Sequence, residues 1–167
     1  TRARGSIGEI YEHLAKHAPF PGLLFHDDAF LTGFEDANPA ALAAYRADGL
    51  PGDIAAIRAD RAAMARWTAL KSRTLTAFTL ELTERARRWR APLQTARNLY
   101  AQPVLNPNAQ EWFAQSLPDF LSNYDRAALM AMPYMEQARN PDRFLRDLYT
   151  RVAATPGGVA KTVFELQ

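Results

Sequence analysis

A chain of 167 residues is long enough for one domain with a sizeable core, and 48% hydrophobic with 23% charged residues is the balance of a globular protein. The net charge of +2 is small and most arginines are spread along helical stretches, which argues against a nucleic-acid partner. The absence of cysteine excludes disulfides and thiol catalysis and leaves the compartment open.

Ile7, Ile10, Tyr11 and Leu14 recur at helical spacing and predict a helix over 5–18. Pro19, Pro21 and Gly22 end it, and the apolar run Gly22-Leu23-Leu24-Phe25 predicts a strand over 22–26. Asn38-Pro39 opens a helix over 39–48, with Asn as cap and Pro in the first turn. Gly49 and Gly52 bound a turn, and no Gly or Pro follows until Pro92. In that stretch Met64, Trp67, Leu70, Leu75, Phe78 and Leu82 mark the apolar face of a long helix. Arg85, Arg87, Arg88 and Arg90 crowd its end, where cations suit the helix dipole and form a solvated face.

A second strand is predicted over 93–97, then a loop, then a short helix whose start is the capping-box-like pair Asn108 and Glu111. The third strand covers 127–132. Asn140-Pro141 opens a helix over 141–154, Thr155-Pro156-Gly157-Gly158 makes a turn, and a fourth strand covers 160–166. Apolar strands alternating with helices imply an α/β fold with a parallel sheet covered on both faces. Four strands do not close an eight-stranded barrel of about 250 residues, so the sheet is either small and open or a segment of a larger barrel. The chain begins Thr1-Arg2-Ala3-Arg4, with no initiating Met, no signal peptide and no long apolar span. The expectation is a piece of a longer protein.

In a β/α architecture reacting groups gather where strands exit. The first strand exits at His26, Asp27 and Asp28, with Glu35 and Asp36 shortly after. The second exits at Arg97 and Asn98, the third at Tyr134 and Glu136, and the fourth at Glu165 and Gln167. Carboxylates, amides and Arg bind hydroxyls, and the aromatic faces of Tyr100, Trp112 and Tyr134 suit sugar C–H groups. Two carboxyl groups flanking a bond also suit glycoside hydrolysis. Structural roles compete at each position. Asp27 and Asp28 fit a turn or helix cap, and Asp36 and Asn38 fit a cap before Pro39. Arg97 fits an ion pair with Asp27 or Asp28, Asn98 a turn, and Tyr134 and Trp112 rim packing. His13 and His17 stand four apart but lack a third ligand and the Glu of a zinc signature, so neither metal nor cofactor is expected. No phosphate-cradling glycine motif and no nucleophile elbow occur.

Gly22-Leu23-Leu24-Phe25-His26-Asp27-Asp28-Ala29, Thr95-Ala96-Arg97-Asn98 and Met130-Ala131-Met132-Pro133-Tyr134-Met135-Glu136 stand in an order that resembles a known family. So do Lys71-Ser72-Arg73 and Phe78-Thr79-Leu80-Glu81-Leu82 within the long helix. The resemblance is to the C-terminal domain of the poly-β-1,6-N-acetyl-D-glucosamine N-deacetylases (PgaB type) of Gram-negative bacteria, and it covers nearly the whole chain. It implies that residues 1–167 form a single partial TIM-like β/α-barrel domain, the middle of that C-terminal hydrolase domain. The family's N-terminal deacetylase domain, which uses an Asp and two His as metal ligands, has no counterpart in this chain. The implied partners are the partly deacetylated polymer and that deacetylase domain. The implied location is the periplasm at the outer membrane, in biofilm polysaccharide export.

Position by position, the resemblance assigns His26, Asp27 and Asp28 to the acidic wall of a sugar groove, with Arg97, Asn98, Tyr134 and Glu136 lining it. The family's next segment runs Asp–aromatic–Glu–Asp, and its leading Asp is the best candidate catalytic carboxylate. Here the segment is Gly33-Phe34-Glu35-Asp36, so Gly33 stands where Asp is expected. Two functions follow. One is endo-hydrolysis of the partly deacetylated polymer, with Asp27, Asp28 and Glu35 as acid, base or nucleophile and Asn98 and Tyr134 orienting the sugar. The other is a non-catalytic binding and export module, in which Gly33 has removed the catalyst. A third, a small open-sheet interaction domain unrelated to sugars, follows if fold alone guides function.

Overall fold

The computed structural model describes residues 2–166. Its sheet holds four parallel strands in sequence order: β1 (Gly22–Phe25), β2 (Gln94–Leu99), β3 (Arg126–Ala131) and β4 (Thr162–Leu166). Register pairs Leu24 with Ala96, Asn98 with Ala128, and Met130 with Glu165. The connections are helical. Helix α1 (Arg2–His17) precedes β1, and α2 (Pro39–Ala47), α3 (Ile54–Ala59) and α4 (Arg61–Arg87) lie between β1 and β2. Short turns α5 (Gln102–Leu105), Pro107–Ala109 and α6 (Gln110–Phe113) lead to α7 (Leu117–Asn123) before β3. Helix α8 (Pro141–Ala153) and the single turn α9 (Gly158–Lys161) precede β4.

Capping follows the expected chemistry at most helix starts. The Asn38 side chain accepts from the Ala40 and Ala41 amides, Asp60 from Ala62 and Ala63, and Asn140 from Arg143. Each such cap contributes about 1 kcal/mol. The capping box expected at Asn108 and Glu111 is replaced by an Asn106 cap on the Asn108 amide, because Pro107 starts the turn one step earlier.

The helices cover one face of the sheet. Phe25, Leu99, Ala127 and Leu129 pack there against Leu82 of α4, Phe120 of α7 and Leu148 and Val152 of α8. The other face carries no helix among the described residues, and Leu24 and Val163 on it are 53% and 49% exposed. A sheet covered on both faces is therefore not what forms. The pattern is that of a barrel wall, with helices outside and a second face turned inward. The N-terminal half of α4 runs beyond the sheet and seats a separate core, in which Trp67 meets Tyr45, Leu50 and Ile57.

Helix α4 departs from the apolar stripe expected of it. Met64, Trp67 and Leu82 are buried as expected, but Lys71, Thr76, Thr79 and Thr83 are buried with them. This polar seam faces a buried arginine, described below.

Candidate functional site: an acidic cluster at the strand exits

Strand alternation places Leu24 and His26 on the face shared by Ala96 and Asn98, opposite the helices. Just past β1, His26 Nδ1 lies against an Asp27 carboxylate oxygen and 3.6 Å from Asp28 Oδ2. Nδ1 and one oxygen of each aspartate all lie within 4.8 Å of one another. The two aspartates differ in setting. Asp27 is buried, whereas the Asp28 side chain is 91% exposed.

Asp27 is held from below by Tyr100, whose hydroxyl donates to Asp27 Oδ2 at 2.8 Å. Burial first, then that hydrogen bond and the charges of Asp27, Asp28 and Glu136, push the Tyr100 hydroxyl up to about 12. Tyr100 therefore stays protonated and serves as a fixed donor. Its ring stacks on Phe113 at 4.6 Å, and Phe30 lies 6.1 Å from each, so an aromatic trio joins the acidic loop, the β2 exit and α6. Tyr100 is the main functional residue that reading the sequence left among general aromatic candidates. Its signal was its place directly after an alternating strand, which becomes visible only once β2 is extended to Leu99.

The other strand-exit residues stand on the inner face or on the loops beyond it, with one exception. Asn98 is buried on the inner face, and its Nδ2 donates to Glu165 Oε2 at 2.6 Å, linking β2 to β4 across β3. Its own carbonyl oxygen has no hydrogen-bond partner among the described residues and faces the same side. Glu136 accepts from Gln102 Nε2 at 2.7 Å, and Tyr134 is 68% exposed on the loop after β3. Gln167 lies outside the described residues.

Arg97 is the exception. It sits inside β2 rather than at its exit, and alternation turns it to the helix face. It is fully buried, so it does not line the exposed surface expected of it, and it pairs with neither Asp27 nor Asp28. Its donors go to the Thr76 and Tyr124 hydroxyls at 3.2 Å and to the Ala29 carbonyl at 3.0 Å.

Glu35 is also not free for acid chemistry. Its Oε2 accepts from the Thr32 amide at 2.9 Å and the Thr32 hydroxyl at 2.5 Å. These bonds, aided by the Lys71 charge, hold its carboxyl below the usual range and keep it ionised at neutral pH. Asp36 Oδ1 accepts from the amide of Asn38 at 2.9 Å, and Asn38 alone is the residue that caps α2. Gly33 is buried beside Met64 and Glu111, at the edge of a cavity of about 280 Å³ lined by Phe34, Arg58 and Trp112. Phe34 and Trp112 meet edge to face at 6.2 Å, and Arg58 stacks 3.7 Å over Phe34. His13 and His17 form an exposed ring contact on α1. His26, Asp27 and Asp28 have the ligand types for a cation, but an exposed acidic cluster alone does not define a metal site.

Comparison with known proteins places the chain in a family. The family described as hypothetical glycosyl hydrolase family 13 matches residues 1–167. The poly-beta-1,6-N-acetyl-D-glucosamine N-deacetylases of Escherichia coli K12 and O157:H7 are each 44% identical over 169 residues, covering 99% of this chain and 25% of theirs. The chain thus spans about a quarter of the length of these curated relatives. The structure of the PgaB (BpsB) glycoside hydrolase domain from Bordetella bronchiseptica superposes with a TM-score of 0.95 at 51% identity, over 99% of this chain and 47% of that one.

Proposed function

Since this chain belongs to hypothetical glycosyl hydrolase family 13, we propose that its inner face is a groove for partly deacetylated poly-β-1,6-N-acetyl-D-glucosamine. The observation that carries this is the convergence on Tyr100. The Tyr100 hydroxyl just past β2 donates to Asp27 after β1, His26 joins Asp27 to Asp28, and Gln102, two residues beyond Tyr100, donates to Glu136 after β3. Deacetylated glucosamine units are cationic, so such a wall attracts them. One ion pair at about 4 Å near a protein surface is attractive by several kcal/mol before desolvation. Asn98 and Glu165 supply amide and carboxylate partners for sugar hydroxyls on the same face. The glycoside hydrolase match supports cleavage as the chemistry, with buried Asp27 and exposed Asp28 as the carboxyl pair in unlike settings. We place the chain in a longer N-deacetylase on the strength of the relatives' names and lengths; the family resemblance of the sequence alone carries the further placement in the periplasm, behind a deacetylase domain.

A second reading, binding and guidance of the polymer without cleavage, is favoured by Gly33. A position without a side chain neither donates a proton nor attacks. Product analysis separates the two. Under the second reading, incubation with partly deacetylated β-1,6-glucosamine polymer yields at most trace shortening, with the polymer retained by the protein. Rapid conversion to short oligosaccharides would remove the second reading, and absence of both retention and shortening would remove the groove.

A further inference from the structure

Residues 26–36 carry the whole acidic cluster yet form no helix or strand. Two buried cations lie behind them. Arg97 is fully buried with its guanidinium 4.5 Å from the Phe120 ring centre, and one of its nitrogens donates to the Ala29 carbonyl at 3.0 Å. Lys71 is 1% exposed, with Nζ 3.9 Å from the Trp67 ring centre. That nitrogen donates to the Thr32 carbonyl at 2.5 Å, the Leu31 carbonyl at 3.4 Å and the Glu111 carbonyl at 3.3 Å. Three donors thus meet three carbonyls, two from the acidic loop and one from α6. Neither cation is in an ion pair among the described residues. A buried charge without a partner anion is costly, and here it is spent on backbone of the acidic loop.

We propose that Lys71 and Arg97 are positioning residues that grip residues 29–32 by their carbonyls and hold Asp27 and Asp28 in place on the groove. Lys71 also ties this loop to α6, the element bearing Trp112, through the Glu111 carbonyl. The charged groups facing Lys71 are Glu35 on the loop and Glu111 on α6. Burial pushes the Lys71 ammonium down to about 8, against the opposing pull of those two carboxylates. Its grip therefore weakens as pH rises through about 8. The sign for global stability is opposite. A lysine whose folded value lies below its unfolded one binds fewer protons when folded, so stability rises with pH above about 8. Loop loosening and a gain in overall stability are thus expected together, which a purely structural lysine coupled to the whole fold would not produce.

The loop arm of the test needs no ligand; the binding arm rests on the groove reading above. Amide exchange protection of residues 29–36 is compared in the intact protein, Lys71→Arg and Lys71→Met from neutral pH to well above 8. Expected is a loss of loop protection in the wild type as pH passes about 8, no such step in Lys71→Arg, and low loop protection throughout in Lys71→Met while β2 and β3 keep theirs. Where Lys71→Met does not fold, the wild type against Lys71→Arg decides alone. Wild-type loop protection without a step, or with the same step in Lys71→Arg, overturns the proposal. Binding of a deacetylated β-1,6-glucosamine oligomer to Lys71→Met at neutral pH is expected to weaken by roughly tenfold. A loosened loop with unchanged binding supports the grip and overturns the groove reading instead.

Discussion

Gly33→Asp is expected to raise cleavage of partly deacetylated β-1,6-glucosamine polymer by about 10²–10⁴-fold over the wild type, the contribution of one positioned acid or base. The backbone is ready for the change. Gly33 is not among the residues with positive φ, so an L side chain is not strained there. A Cβ at this position would sit 3.6 Å from Met64 Cε and 3.8 Å from the Glu111 carbonyl oxygen, ordinary contact distances. Gly33 itself borders the cavity lined by Phe34, Arg58 and Trp112, which leaves open space beside it. Gly33→Asn is the matched control, with the same shape and no titratable oxygen. Equal turnover by wild type, Asn and Asp variants would show that Gly33 does not limit hydrolysis and would return the chemistry to Asp27 and Asp28.

Arg97→Ala is expected to destabilise the protein by about 3–5 kcal/mol, read as a lowered denaturant midpoint with unchanged slope. A groove-lining arginine at an exposed strand exit would cost well under about 1 kcal/mol on truncation. The difference comes from what the side chain fills and satisfies. Its removal opens a cavity against Phe120 and leaves the Ala29 carbonyl, Thr76 and Tyr124 without a shared donor. Thr76 keeps Asp119 as a partner at 2.7 Å, and Tyr124 keeps Thr79, so the loss is partial for the hydroxyls and complete for the carbonyl. A midpoint within experimental error of the wild type would contradict the buried placement.

The two cases show where the fold was legible from residues alone. Strand β1 lies within the segment read from Gly22-Leu23-Leu24-Phe25, and helices α2 and α8 start where Asn-Pro pairs put them. The parallel order follows from alternating strands and helices, and the barrel-like wall from an inner face that no helix covers. What failed was framing. Strand β2 was expected to end at Arg97 but runs on to Leu99, which moved the exit from Arg97 and Asn98 to Tyr100. A two-residue error at a strand end converts a buried buttress into an apparent groove residue. The polar seam of α4 was hidden for a related reason. Lys71, Thr76 and Thr79 lie at helical spacing beside Trp67 and Leu82, but the partners that make burying them favourable come from distant segments: loop carbonyls for Lys71, Arg97 for Thr76 and Tyr124 for Thr79. Glu35 could be named as a carboxylate, but its engagement by Thr32 is a loop geometry that no pattern of residue types reveals. Helix α7 escaped because seven residues are too few to show a helical period, and Phe120 and Leu121 commit it through tertiary packing.

The acidic wall is tested most directly by equilibrium binding of two β-1,6-linked glucosamine oligomers of equal length, one fully N-acetylated and one deacetylated, to the wild type and to Asp27→Asn. Asn keeps the shape of Asp27 and can still meet the Tyr100 hydroxyl, so only the charge is removed. The wild type is expected to prefer the deacetylated oligomer, and Asp27→Asn to weaken that binding roughly tenfold, about 1.4 kcal/mol, with little change for the acetylated one. Equal wild-type affinity for both oligomers, together with indifference to Asp27→Asn, would contradict a sugar groove that reads the amine by charge.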